Sequence, residues 1–250
     1  MAEQAQKEEK VDNSDPAKSV PKGYRIKDIN NDDTVQYVYN FINGEYCVPS
    51  SGEYIDNVNP ATNQVISRIA SSNKEDIDYA VASAEAAFEA WSATDVSKRA
   101  EYVQKISQLI KSRLEEFAIL ESRDNGKPKI MAQMVDIPAA ARQFSDSAEY
   151  AKFVETDALV KDDSLHYLQR PPLGVVGGIS PWNYPLLLIS GKIAPAIMYG
   201  NCTILKPSEL TPMTAYLLTD VIIESGLPAG VVNIVQGYGK DAGSPLVKHP

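Results

Sequence analysis

The chain has 250 residues, 44% hydrophobic and 23% charged, the make-up of a globular protein long enough to bury a real core. A formal net charge of −9 leaves no basic stripe to follow a phosphate backbone, which argues against a nucleic-acid partner. Two distant cysteines, Cys47 and Cys202, fit no metal or disulfide spacing, and two histidines, His166 and His249, are a poor basis for a metal site or a Ser-His-Asp triad.

The first ten residues have neither the apolar core of a secretory signal nor the Arg-rich character of a transit peptide. Prolines, glycines, Asn183 and Lys192 interrupt the apolar stretch from Val175 to Tyr199, so it does not read as a membrane span. A cytoplasmic location and no membrane partner are the expectations. Residues 1–34 carry charges of both signs and few large apolar side chains, and are expected to form a disordered tail. Order is expected from a strand at 37–42, turned by Asn43-Gly44 into a hairpin, with another short strand at 54–58.

Two long amphipathic helices follow. The first, capped by Asn73 or a neighbour, places Ile77, Ala80, Val81, Ala84, Phe88 and Trp91 on one face. The second carries Tyr102, Ile106, Leu109, Ile110, Leu114, Phe117 and Leu120 at the same spacing. Both stripes read as core packing.

From residue 173 the pattern changes. A buried strand at 173–179 leads through a Pro-rich loop to an apolar helix at 185–199, and Cys202 opens a second buried strand ending at Leu205. Thr211 and Pro212 open another helix, which closes at Gly226, and a third strand spans 231–235. This strand-helix alternation predicts an α/β fold with a doubly wound parallel sheet, whose ligand crevice lies beyond the carboxyl ends of its strands.

Three loops leave those strand ends. In the first, Ile179-Ser180-Pro181-Trp182-Asn183-Tyr184-Pro185, two prolines frame one amide side chain. It is either a hydrogen-bond donor to a developing oxyanion or a loop asparagine bonded to its own backbone. In the second, Lys206 and Glu209 stand three apart, as a ribose grip that would favour NAD over NADP or as a surface ion pair. The third, Gly237-Tyr238-Gly239-Lys240-Asp241-Ala242, satisfies a dinucleotide glycine pattern and equally a plain glycine turn.

The segments 179–185, 205–209 and 226–235, in this order, resemble the aldehyde dehydrogenase superfamily. So do Phe41-Ile42-Asn43-Gly44, Asn59-Pro60-Ala61-Thr62, the Ala-rich helix ending at Trp91, and Asp124-Asn125-Gly126-Lys127-Pro128. The resemblance implies NAD as cofactor, a small-molecule aldehyde as substrate, a Rossmann-like NAD domain and a homo-oligomeric full-length relative. It makes Asn183 the oxyanion-hole amide and assigns the adenosine ribose to Lys206 and Glu209. Ile179, Ser180 and Trp182 would line the cofactor cleft, Gly239, Lys240 and Gly243 would edge the adenine pocket, and Lys192 would lie near the active site. Residues 35–250 are then the N-terminal part of the NAD-binding domain, with part of the oligomerisation hairpin near 151–170 and the catalytic domain absent.

The family's Gly-Ser-Thr loop, glutamate base and cysteine nucleophile fall beyond Pro250, and neither Cys47 nor Cys202 reads as a substitute. Two functions follow as expectations: NAD-dependent aldehyde oxidation by a longer protein, or a short isoform without turnover acting as a nucleotide-binding or subunit-interaction module. Leu114-Glu115-Glu116-Phe117-Ala118, Glu121-Ser122 and Val135-Asp136-Ile137-Pro138 resemble the 2-aminomuconic semialdehyde branch, with betaine-aldehyde types second, although Ala139 stands where that branch would have arginine.

Overall fold

The computed structural model describes Val20, residues 35–154 and residues 157–250. The expected tail therefore lies outside the described residues, apart from Val20, which is buried and donates its N–H to Tyr46 O.

The expected first strand is two strands. β1 (Gln36–Val38) pairs in parallel with β5 (Val65–Ala70), which also holds β4 (Tyr54–Val58) antiparallel. Past Tyr39 the chain enters another sheet as β2 (Asn40–Ile42) and returns as β3 (Glu45–Cys47). Asn43 and Gly44 turn that hairpin with φ of 54° and 78°, the left-handed geometry that an Asn-Gly pair adopts at little cost.

α1 (Lys74–Ser92) begins as expected. Asn73 accepts from Glu75 N while Asp76 accepts from Asn73 N, a reciprocal capping box. Ile77, Ala80, Val81, Ala84 and Trp91 are buried along one face, and the Trp91 indole donates to Ile197 O at 3.1 Å. The expected second helix breaks at Arg113 into α2 (Val96–Ser112) and α3 (Leu114–Asn125). Apolar spacing runs unchanged across the break, so periodicity does not register it. Next come α4 (Lys129–Met131), a π-turn at Ala132–Asp136 and α5 (Ile137–Tyr150), none of them anticipated. α5 buries Ile137, Ala140, Ala141, Phe144 and Ala148, a stripe masked by its alanines.

β6 (Ala158–Lys161) and β7 (Ser164–Tyr167) form an isolated antiparallel pair in which every residue is exposed. The expected alternation then appears as β8 (Val175–Ile179), α6 (Pro185–Met198), β9 (Cys202–Lys206), α7 (Met213–Ser225) and β10 (Val232–Ile234). β8, β9 and β10 are parallel neighbours, and the hairpin extends them on the β10 side, giving the order β3-β2-β10-β9-β8. β9 is buried throughout, whereas β8 is an edge strand with Ile179 42% exposed. α1 and α6 both pack on β9, with α5 against α6 and α2 against α5. The chain ends in a π-turn at Gly239–Gly243 and α8 (Ser244–Lys248).

One cap differs from expectation. The Thr211 hydroxyl has no partner among the described residues, and the first amide of α7, Met213 N, donates instead to Asp124 Oδ2 on α3 at 2.8 Å. A carboxylate from a distant helix satisfies an orphan donor at the positive end of α7.

Candidate functional site

The carboxyl ends of β8 and β9 carry two groups of the singled-out residues. β8 sits close to β9 because it has no side chain at Gly178, where a Cβ would stand 2.8 Å from Leu205 Cδ1. Beyond Ile179 the chain stays tied to β9 for one more residue, Ser180 N donating to Lys206 O at 3.0 Å, with the Ser180 hydroxyl buried and without a partner among the described residues. It then opens to solvent at Trp182, Asn183 and Tyr184.

The backbone of this loop is gripped from α3 and the turn after it. Asn125 Nδ2 donates to Trp182 O at 2.7 Å, and Lys127 Nζ donates to Asn183 O at 3.2 Å. The Asn183 side-chain amide has no hydrogen-bond partner among the described residues and is solvent-exposed. That disposes of a loop asparagine bonded to its own backbone. A pocket of about 320 Å³ adjoins it, lined by Asn125, Lys127, Met131, Val135, Asp136, Asn183 and Tyr184.

The second group lies at the end of β9. Lys206 is buried, and its ammonium donates to Pro207 O at 2.6 Å, Gly237 O at 2.7 Å and Glu209 Oε2 at 3.2 Å. Three acceptors match its three protons. Burial pulls its pKa below the usual lysine value, opposed by Glu209. Glu209 remains partly exposed, so the pair is more than a surface ion pair. Gly243 meets this group from the π-turn: a Cβ there would stand 3.5 Å from Lys206 Cδ and 3.7 Å from Ile179 Cδ1. Ile179, Lys206 and Gly243 are thus brought together. Gly239 and Lys240 stand outside them, Gly239 in open space and Lys240 81% exposed beside Asp241.

Lys192 lies on α6, its Nζ donating to Leu188 O at 3.2 Å and its stem beneath Gly178. Both thiols are set for packing rather than attack. Burial raises Cys202 to about 11, and burial with Glu45 nearby raises Cys47 to about 11. Among the described residues there is no metal-binding cluster, and no helix is long and apolar enough to cross a membrane.

The groups that hold the Asn183 loop escape a reading of the sequence. Asn125 and Lys127 stand out only as part of a resembling segment, and nothing local pairs them with residues nearly sixty positions away.

Residues 47–250 match the aldehyde dehydrogenase family. The chain is 43% identical over 220 residues to a 2-hydroxymuconic semialdehyde dehydrogenase of Pseudomonas sp. (strain CF600), covering 85% of this chain and 45% of that protein. It is 42% identical to the human 2-aminomuconic semialdehyde dehydrogenase, covering 84% of this chain and 43% of that one. Its fold matches an NAD+ complex structure of an aldehyde dehydrogenase from Bacillus cereus, with a TM-score of 0.83, 37% identity, and coverage of 85% of this chain and 44% of that chain. The chain spans less than half the length of these relatives.

Proposed function

This chain belongs to the aldehyde dehydrogenase family, and from that membership we propose that the protein carrying it oxidises an aldehyde to a carboxylic acid with NAD. The observation that supports this most is the disposition of Asn183: its backbone carbonyl is held while its side-chain amide stays free and faces open space beside a pocket. A free amide on a held backbone can donate to the oxygen of a carbonyl under attack, where negative charge develops. The attacking thiol and the base come from outside this chain's residues.

The residues present fit a nucleotide at the ends of β8 and β9. The bare Cα of Gly243 keeps room between Ile179 and the Lys206 stem, and Glu209 presents a carboxylate toward solvent. NAD, when bound, accepts the hydride. Lys206 orients Glu209 and releases one of its three acceptors to reach a ribose hydroxyl, while Glu209 accepts from the ribose diol. Ser180 and Trp182 line the cleft from the loop after β8, and Gly239 and Lys240 edge the adenine side. A carboxylate at the ribose 2′ position repels a 2′-phosphate, so kcat/KM should favour NAD over NADP. Glu209→Gln should narrow that ratio by about tenfold, one lost charge repulsion of about 1.4 kcal/mol. An unchanged ratio would place Glu209 away from the ribose.

The substrate class favoured is a semialdehyde of the muconic type, the chemistry in the names of the two relatives, and free thiols suit a reducing compartment such as the cytoplasm. The direct test of the whole reading is NADH formation with muconic, betaine-type and simple aliphatic aldehydes. No turnover with any of them would overturn it. A second reading, a subunit-interaction module without turnover, draws on the fully exposed β6–β7 hairpin, which carries bare Leu159, Val160 and Leu165. Coding sequence past Pro250 for a Gly-Ser-Thr loop, a glutamate and a cysteine favours the enzyme; a stop codon there favours the module.

A further inference from the structure

We propose that Lys127, seconded by Asn125, is a positioning residue for the Asn183 amide: the two fix the backbone of the loop from which that amide projects. The proposal rests on the reading of Asn183 as the oxyanion donor.

Lys127 occupies an unusual site for a lysine. Its side chain is only 13% exposed, and it lies between two carboxylates that are themselves buried, Glu121 at 3.2 Å and Asp136 at 2.5 Å. The two carboxylates oppose the cost of desolvating the cation, and two hydrogen bonds satisfy two ammonium protons. The third proton goes to Asn183 O at 3.2 Å. The ammonium also stands 4.7 Å from the centroid of the Tyr184 ring, a favourable approach of a cation to an aromatic face. A single buried charge therefore touches two successive residues of the loop.

Its neighbours extend the grip in both directions. Asn125 Nδ2 holds Trp182 O at 2.7 Å, and Glu121 Oε2 accepts from Leu186 N at 3.4 Å, in the first turn of α6. Burial raises the Glu121 pKa, and the Lys127 charge opposes that rise. Residues 182, 183, 184 and 186 are thus all contacted by the end of α3 and the turn after it. The turn requires glycine: Gly126 closes α3 at φ 82°, with Pro60 Cγ only 2.8 Å from where a Cβ would stand. Every contact is to the loop backbone or to Tyr184, and none is to the Asn183 amide. This arrangement orients a side chain without consuming its hydrogen-bonding capacity.

Positioning through another residue has a signature that a general loss of folding lacks. In the full enzyme, Lys127→Met should lower kcat by about 10- to 100-fold, the scale of a misplacement of about 1 Å, with KM for NAD little changed. In an Asn183→Ala background the same substitution should cost less than about twofold, because there is no amide left to position. Asn125→Ala, which strands no buried charge and folds more safely, should give a smaller loss with the same dependence on Asn183. Amide exchange of Leu186 and Leu188, whose N–H groups donate to Glu121 Oε2 and Tyr184 O, should quicken by about tenfold or more in Lys127→Met through local opening of the loop, read by mass spectrometry without cofactor. Equal losses in both backgrounds, or unchanged exchange at Leu186 and Leu188, overturn the proposal. Wild-type turnover in Lys127→Met beside a crippled Asn183→Ala overturns it alone, whereas wild-type turnover in Asn183→Ala overturns the reading beneath it as well.

Discussion

Asn183→Ala is expected to lower kcat in the full enzyme by about 10²- to 10³-fold, the effect of deleting one oxyanion donor. The amide is free of intramolecular bonds, so its removal leaves no buried group stranded and the fold should be untouched. KM for the aldehyde should move much less than kcat, because an interaction strengthened only as charge develops acts on the transition state. Asn183→Asp should be at least as damaging, since a carboxylate repels the developing negative charge instead of donating to it. The measurement is steady-state NADH formation with the best aldehyde substrate, alongside thermal melts of each variant. Turnover within about threefold of the wild type, against a predicted loss of two orders of magnitude, would remove Asn183 from the chemistry.

Asp124→Ala should be among the most destabilising single changes, at about 3 kcal/mol, since each buried donor left without an acceptor costs about 1–3 kcal/mol. Asp124 is buried and takes hydrogen bonds from Asn57 Nδ2 on β4 and from Met213 N at the start of α7, tying three elements together. The size of the loss should depend on pH. Burial lifts the Asp124 carboxyl from 3.8 to about 7, despite the two donors that pull it down. A raised folded-state pKa contributes stability that is complete below the unfolded value near 3.8 and is lost as pH rises through about 7. In that window the unfolded chain releases the proton and the folded chain keeps it. Asp124→Ala should therefore cost more at pH 5 than at pH 8. Urea midpoints for wild type and variant at the two pH values check this, and a cost that grows toward pH 8 would contradict the sign.

What these tests probe is unevenly legible in the amino-acid sequence. The chain order of β8, α6, β9, α7 and β10 can be read from the residues themselves, because each element announces itself locally. Apolar runs of strand length alternate with helical stripes, and Gly226 marks where α7 stops. The Asn43-Gly44 turn and the Asn73 cap are legible for the same reason, since a left-handed backbone or an orphan helix amide is served by residues one to three positions away. The loops carrying Asn183 and Glu209 can be located as strand ends.

Tertiary structure decides the rest, wherever the partner of a group is distant in the chain. The step from one sheet to another at Tyr39 depends on β5 and β10 lying on either side of it, neither visible from residues 37–42. The break at Arg113, where the backbone leaves helical geometry, is invisible in the apolar spacing, which continues across it. Thr211 has the residue type and place of a cap for α7, but Asp124, 89 residues before Met213, takes the amide instead. In the sequence Lys127 is one charge in a turn; folding places it between Glu121 and Asp136 and against Asn183 O. Short-range hydrogen bonds and side-chain periodicity are properties of a segment, and the segment displays them. The environment of a buried charge belongs to the assembled core, so the residues that hold the site in place become readable only after the chain has folded.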